Sequence, residues 1–427
     1  MREDFLHFIW KTQKFQKSGL ITSTKEEVVV LQPGQYNTSS GPDFFNARVR
    51  IANQEWAGNL EIHLKSSDWY VHGQENDINY SNVILHVVWE DNVAIHRKDG
   101  SIIPTVALKN VVNSTLLHSY EDLVQNSKKK FINCEKDIAS IDEMLWYQWQ
   151  ERLFVERLEQ KSQLINSLLL KTKNDWENVL FRLLMKTFGL NKNGGAFLAM
   201  AEHINDGIFR KVSKNTFQME ALIYGLAGFL QDNTIHDAYY QRLKNEFSFL
   251  NHKFQLAEYF GATPIFFGLR PSNFPTVRLS QLCNIYKRSD NLFSALMAAE
   301  TIDDFYNFFE VGASPYWDTH FTFGKESKKH SKKLTKNFVH LILINAILPL
   351  RFCYGRYLGR SQTDTVIQLM HHLPAEKISI VTGFDTIEMS SSSAFESQSK
   401  IHLFTVYCKE NSCLHCRVGN QLLGRNN

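Results

Sequence analysis

The sequence predicts an α+β protein, with a β-rich domain over residues 1–125 and a larger, mainly helical domain over residues 140–427. Three observations predict it. Short apolar runs separated by turn residues crowd the first part of the chain. From Ile141 onward, apolar residues recur at helical spacing. Gly and Pro are 30 of 427 residues, about 7%, so linker-rich and collagen-like chains are excluded. With 43% hydrophobic residues and 31 Phe, the chain has enough apolar surface to offset its ordering entropy.

The elements follow in order. Phe5, Leu6, Phe8, Ile9 and Trp10 predict a short amphipathic opening helix. Residues 27–31 (EVVVL) read as a strand stopped by Gln-Pro-Gly. Phe44–Ile51 and 56–65 alternate about a turn near Asn53, which predicts a hairpin. Residues 82–89 (NVILHVVW) are almost continuously apolar, as a central strand is. Residues 94–97 and 102–108 flank Lys-Asp-Gly and predict a second hairpin. Residues 66–80 carry only weak helical spacing. The lysines at 128–130 mark the expected boundary. Helices are then expected at Trp176–Phe188 with Gly189 as its cap, at 195–203, 219–230, 238–249, 277–286 and 337–349, and once more after the serines at 390–393.

Charge divides the chain. Residues 1–125 hold 11 Lys/Arg and 15 Asp/Glu, a net of −4, and the remainder nets +7. An acidic part suits cations and a basic part suits polyanions, although ordinary surface variation produces such splits too. The longest apolar stretch, near 338–352, contains His340, Asn345 and Arg351 and reads as a core helix, not a membrane span. The opening MREDFLHFIW is unlike a signal peptide, so a cytoplasmic protein with no membrane partner is expected. Six Cys in 427 residues do not make a disulfide framework.

GPDFFNARVRI, GNLEIHLKSSDWYVHG and NVILHVVWE resemble the bacterial family catalogued as domain of unknown function 2851. RPSNFPTVRLSQL at 270–282, INAILPL at 344–350 and YCKENSCLHCRVGNQLL at 407–423 extend the resemblance over essentially the whole chain. Within it, residues 42–65 look like a divergent PD-(D/E)XK nuclease core. Pro42-Asp43 precedes one strand and Glu61 lies on the next, 18 positions on. This resemblance implies a restriction-endonuclease-like fold and a divalent-metal-dependent nuclease. The chain departs from the motif where Lys is expected: His63 stands two after Glu61, and Lys65 two later.

The chemistry is coherent. On a strand, Glu61, His63 and Lys65 share one face. Mg2+ or Mn2+ held by Asp43 and Glu61 would activate water and neutralise a phosphodiester oxygen, with His63 or Lys65 moving a proton or stabilising charge. His72, Asp77 and His86 are candidate substrate contacts, and His86 inside an apolar strand demands a partner. Plainer roles stay open: Asp43 as a turn residue, Asp68 as a helix cap, His86 as a hydrogen-bonded core residue. Cys408, Cys413 and Cys416 have the spacing of a Zn2+ or iron–sulfur site lacking its fourth ligand, for which Cys134, Cys353, His402 and His415 are available. The segment 324–336 has six Lys, including Lys328, Lys329, Lys332 and Lys333, beside aromatics, which suits nucleic acid or merely solvent. Three functions compete: a metal-dependent nuclease, a non-catalytic nucleic-acid-binding or scaffold protein, and another metal-dependent hydrolase built on His63, His72 and His86.

Overall fold

The computed structural model describes residues 1–37, 40–124, 131–288 and 291–424. The lysines at 128–130 lie outside the described residues. The chain forms two compact units. The N-terminal unit comprises Met1–Trp149, Thr386–Met389 and Leu403–Asn427, and the helical unit comprises Gln150–Asp385 and Ser390–His402. This differs from a division into 1–125 and 140–427, because the Cys-containing C-terminus belongs with the N-terminal unit. Its side chains explain why. Phe404 stacks on Phe131 with centroids 5.0 Å apart, Tyr407 packs edge-on to Trp149, and Asn133 donates to Asn411 at 3.0 Å.

The N-terminal unit is a mixed sheet with helices. Helix α1 (Glu3–Thr12) buries Phe5, Leu6, Phe8, Ile9 and Trp10. Strands β1 (Val28–Gln32), β2 (Gln35–Tyr36), β3 (Phe44–Ile51), β4 (Gln54–Lys65), β5 (Val83–Glu90) and β6 (Thr105–Ala107) pair in the order β1-β3-β4-β5-β6, with β2 also on β3. The β3–β4 hairpin forms as expected and is antiparallel. Along β3, Ala47, Val49 and Ile51 are buried and Asn46, Arg48 and Arg50 are exposed, the period-2 pattern of a half-covered strand. Asn46 sits at φ 55° where the β3–β4 register shifts, a left-handed conformation that Asn tolerates better than most residues.

Strand β5 runs parallel to both β4 and β6. A parallel neighbour needs a crossover, and residues 66–82 supply it through α2 (Asp68–Val71) and two 3-10 turns, Gln74–Asn76 and Ile78–Tyr80. Gly58 marks the tight approach at the start of this pairing. A Cβ there would lie 2.4 Å from Ile84 Cγ2 and 2.8 Å from the Asn82 carbonyl. The second expected hairpin forms only at its tip, where the His96–Ile102 bridge is flanked by the Arg97 amide donating to the Ser101 carbonyl at 2.8 Å and the Ile103 amide to the Ile95 carbonyl at 3.0 Å; the outer part of its second arm pairs elsewhere. Pro104 has no N–H to give a hairpin ladder, and its carbonyl instead accepts from the His86 amide at 2.9 Å, leading into the parallel β5–β6 pair.

The helical unit holds one large apolar core running from Phe154 to Phe395. Trp176–Phe188 forms as expected, and Gly189 ends it in a right-handed conformation that passes directly into Leu190–His203. The helix expected at 337–349 continues to Tyr357 through a π segment, Leu343–Ile347. Pro349 has no N–H to donate, and the π segment just before it absorbs the break in hydrogen bonding that would otherwise stop the helix. This apolar helix, Lys336–Tyr357, is long enough to cross a bilayer by length and composition, and most of it is buried in the unit's own core.

Gly58→Ala should destabilise the protein by about 1–3 kcal/mol through overpacking against Ile84 and the Asn82 backbone. Urea denaturation followed by Trp fluorescence checks this, and an unchanged midpoint would mean that the β4–β5 contact yields easily.

Candidate functional site

The C-terminal half of β4 is buried on both faces, so Glu61 and His63 lie inside the unit, at 4% and 2% exposure. The expectation of one polar face over Glu61, His63 and Lys65 holds only for the first two. Lys65 is exposed at the strand's end, and its amide donates to Asp68 Oδ2 at 3.0 Å.

Asp43 and Glu61 are brought together. The Asp43 amide donates to Glu61 Oε2 at 3.2 Å, and the Ile62 amide donates to Asp43 Oδ2 at 2.9 Å. Gln74, from the crossover, donates to Glu61 Oε1 at 2.5 Å. Burial, reinforced by the charge of Asp43, pushes Glu61 up to about 9. Asp43 itself is only half-buried, which leaves the pair one face toward solvent. Helix α1 contributes two residues that sequence reasoning missed. His7 Nε2 stands 3.2 Å from Asp43 Oδ2 without hydrogen-bond geometry. Glu3 is raised by burial and by Asp43. Glu3 and His7 are four apart, on one helix face away from Phe5 and Ile9, a spacing shared by the solvent face of any amphipathic helix.

The His86 expectation of a partner is met by His63. Strand pairing sets Glu61 opposite His86. His63 Nδ1 lies 2.8 Å from His86 Nε2, and His63 Nε2 lies 3.1 Å from His72 Nδ1 and 3.5 Å from Glu61 Oε1. The three rings therefore run as a chain instead of converging on one point. His86 Nδ1 is buried without a hydrogen-bond partner. A buried unsatisfied acceptor is commoner than an unsatisfied N–H, so the chain is best satisfied with His86 Nε2–H donating to His63 and His63 Nε2–H facing His72 and Glu61. This tautomer assignment follows from the network. Burial holds His63 down to about 4 and His86 well below its ordinary value, so both rings are neutral at pH 7.

Asp77 is not in this cluster. It caps the turn Ile78–Tyr80 by accepting from the Asn79 amide. With Trp69, Gln74, Tyr80, Arg97 and Lys98 it lines a cleft of about 220 Å3. Gln74 thus links that cleft to Glu61. A larger cleft, about 570 Å3, lies in the helical unit, where burial lowers Lys161 to about 7. Its Nζ donates to the Ile344 carbonyl of the π segment at 2.9 Å. Among the Lys-rich residues, Lys328, Lys329 and Lys333 are exposed. Lys332 turns inward to the carbonyls of Asp318 and His330 and over the ring of Phe321. Also in this unit, Glu220 is buried and accepts from Tyr239, Ser280 and Ser314, a satisfied carboxylate with no cleft beside it in the cavities described. Among the described residues, no group of three or more His, Cys, Asp or Glu side chains converges tightly enough to hold one metal ion.

Fold and site together define an α+β protein whose N-terminal sheet buries a carboxylate–histidine network. The chain belongs to the family described as "Protein of unknown function (DUF2851)", whose model matches residues 3–379. No curated protein matches the chain, and no solved structure matches it.

The site has a signed pH dependence. A carboxylate raised when folded favours the native state below its unfolded value, and that contribution is lost as pH rises through about 9. His63, depressed to about 4, acts oppositely: its contribution is present above its unfolded value and lost as pH falls through about 4. Glu61→Gln, which keeps the neutral form at every pH, should therefore raise Tm relative to the parent by a growing margin between pH 5 and pH 9 (roughly the span between the ordinary and the shifted value). Calorimetry across that range checks it; a constant or shrinking margin would mean that Glu61 is ionised in the fold.

Proposed function

We propose that the protein is a divalent-metal-dependent phosphodiesterase acting on nucleic acid, with Asp43 and Glu61 as the metal-holding carboxylates. One observation carries the reading: two carboxylates are held together by backbone hydrogen bonds, with Glu61 buried and, among the described residues, no Lys or Arg hydrogen-bonded or ion-paired to it. A divalent cation supplies the charge that this pair lacks. Mg2+ commonly takes one or two protein carboxylates and keeps its remaining positions for water and phosphate, so a third protein ligand is not required. When bound it supplies Lewis acidity and a water of lowered pKa. Asp43, half-exposed, presents the open side. Neutral His63 presents its Nε2–H to Glu61 and to exposed His72, and is suited to donate a hydrogen bond or pass that proton to His72. The adjoining cleft sets Tyr80 beside exposed Lys98, an aromatic ring and a cation that suit a nucleotide and its phosphate. The resemblance of residues 42–65 to a PD-(D/E)XK core points the same way.

A second reading, a non-catalytic nucleic-acid-binding or scaffold protein, is favoured by the enclosure of His63, whose two ring nitrogens are both occupied by other histidines. One experiment separates the two. With Mg2+ or Mn2+, purified protein should cleave single- or double-stranded DNA or RNA. Asp43→Asn and Glu61→Gln should each lower the rate by about three or more orders of magnitude while the circular dichroism spectrum is retained. Salt-dependent binding without any cleavage would establish the second reading. Cleavage that survives both substitutions would remove these carboxylates from the chemistry.

A further inference from the structure

The three C-terminal cysteines acquire a fourth companion in the fold. Cys134 sits in the segment before α4 (Glu143–Lys171), and Cys408, Cys413 and Cys416 come from Leu403–Cys408 and the turn after it. All four thiols line one small cavity in the N-terminal unit, shut in by apolar side chains including Leu123, Ile138 and Leu403. None forms a disulfide. Of the other three candidates for the missing ligand, His415 is exposed, while His402, engaged with Glu156 at 3.3 Å, and Cys353 belong to the helical unit.

A side-chain donor is aimed at these sulfurs: Asn133 Nδ2 donates to Cys413 Sγ at 3.4 Å. A neutral thiol is a weak acceptor, whereas an N–H aimed at sulfur orients and tunes a metal-bound thiolate. The turn is also packed to hold its shape. A Cβ on Gly419 would lie 2.2 Å from the Cys413 carbonyl, so the backbone there is closed to any side chain. Four thiolates gathered at one apolar cavity are stable only with a cation among them.

We propose that Cys134, Cys408, Cys413 and Cys416 form a four-thiolate centre for a thiophilic metal, either a single zinc ion or an iron–sulfur cluster. The two share the same ligand chemistry. Among the described residues no group of thiols converges on one ion as arranged, so the thiols must draw together on the metal they bind. The site is separate from Asp43 and Glu61, and it does not rest on the proposed hydrolysis.

The full chain, expressed with iron and zinc supplied and purified without air, is assayed for iron, acid-labile sulfide and zinc. About four irons with about four sulfides per chain, and a visible charge-transfer band, identify a cubane cluster; about one zinc without sulfide identifies the mononuclear site. Either upholds the four-thiolate centre. Cys134→Ser should lower the metal content at least several-fold, while Cys283→Ser, in the core of the helical unit, should leave it unchanged. Native mass spectrometry of the unsubstituted chain gives the answer even where a variant fails to fold. Neither metal in the native mass, or a full metal content in folded Cys134→Ser, overturns the proposal.

Discussion

Placing Glu61 in the interior of a sheet is the constraint on which the N-terminal unit turns. A carboxylate taken from water must be paired, hydrogen-bonded or neutralised. Here three segments meet that demand: the Asp43 amide ahead of β3, Gln74 from the crossover, and His63 on its own strand. The β3–β4 hairpin brings the Asp43 amide, and the β4–β5 crossover brings Gln74. The parallel pairing forces a crossover, the crossover carries His72 and Gln74 back over the strand, and β5 brings His86 into register with Glu61. Secondary structure and polar satisfaction are thus the same problem in this part of the molecule.

The electrostatic result is a pair of opposed shifts. Burial raises the acid and lowers the base, so Glu61 and His63 are both near neutrality at pH 7, with Asp43 facing solvent beside them. Such a network tolerates an incoming positive charge well, because Glu61 has a proton to release and His63 has none to repel it with. An added negative charge meets the opposite situation. This asymmetry is a property of the burial and does not depend on which ligand exploits it.

Much of this was legible in the sequence where the signal is local. The period-2 alternation of residues 44–51 and the continuous apolar run of 82–89 define strands by themselves, and a His within that run announces a partner. The acids of residues 43 and 61 were legible because a hairpin brings neighbours in sequence together in space. Other features were not, for the same physical reason in reverse. The parallel β5–β6 pair takes residues 105–107 out of an arm expected to pair in a hairpin, because Pro104, a single missing N–H, ends the hairpin ladder at Ile103. Glu3 and His7 look like the solvent face of any amphipathic helix until tertiary packing covers them. Lys332 reads like its neighbours, yet its ammonium is consumed by two carbonyls. Gln74 has no motif at all; only its position on the crossover makes it the donor to Glu61.

Cys134 is the sharpest case, because it lies 274 positions from Cys408. No local pattern links the two, and only folding brings them to one cavity. That separation matters physically. The polar contacts that hold the C-terminal segment to the start of the chain are few and weak: Arg2 to the Asn411 carbonyl and Lys14 to the Leu423 carbonyl, both at 3.4 Å. The cost of closing a loop grows only with the logarithm of its length, so a bond or metal bridging this interval restricts the unfolded chain more than a short staple does, and the gain over a loop of ~100 residues is modest. The stronger consequence concerns completeness. The thiols of the cavity come from segments far apart in the polypeptide, so the packing of the N-terminal unit around it waits until residues 403–416 have been made and have returned to Cys134.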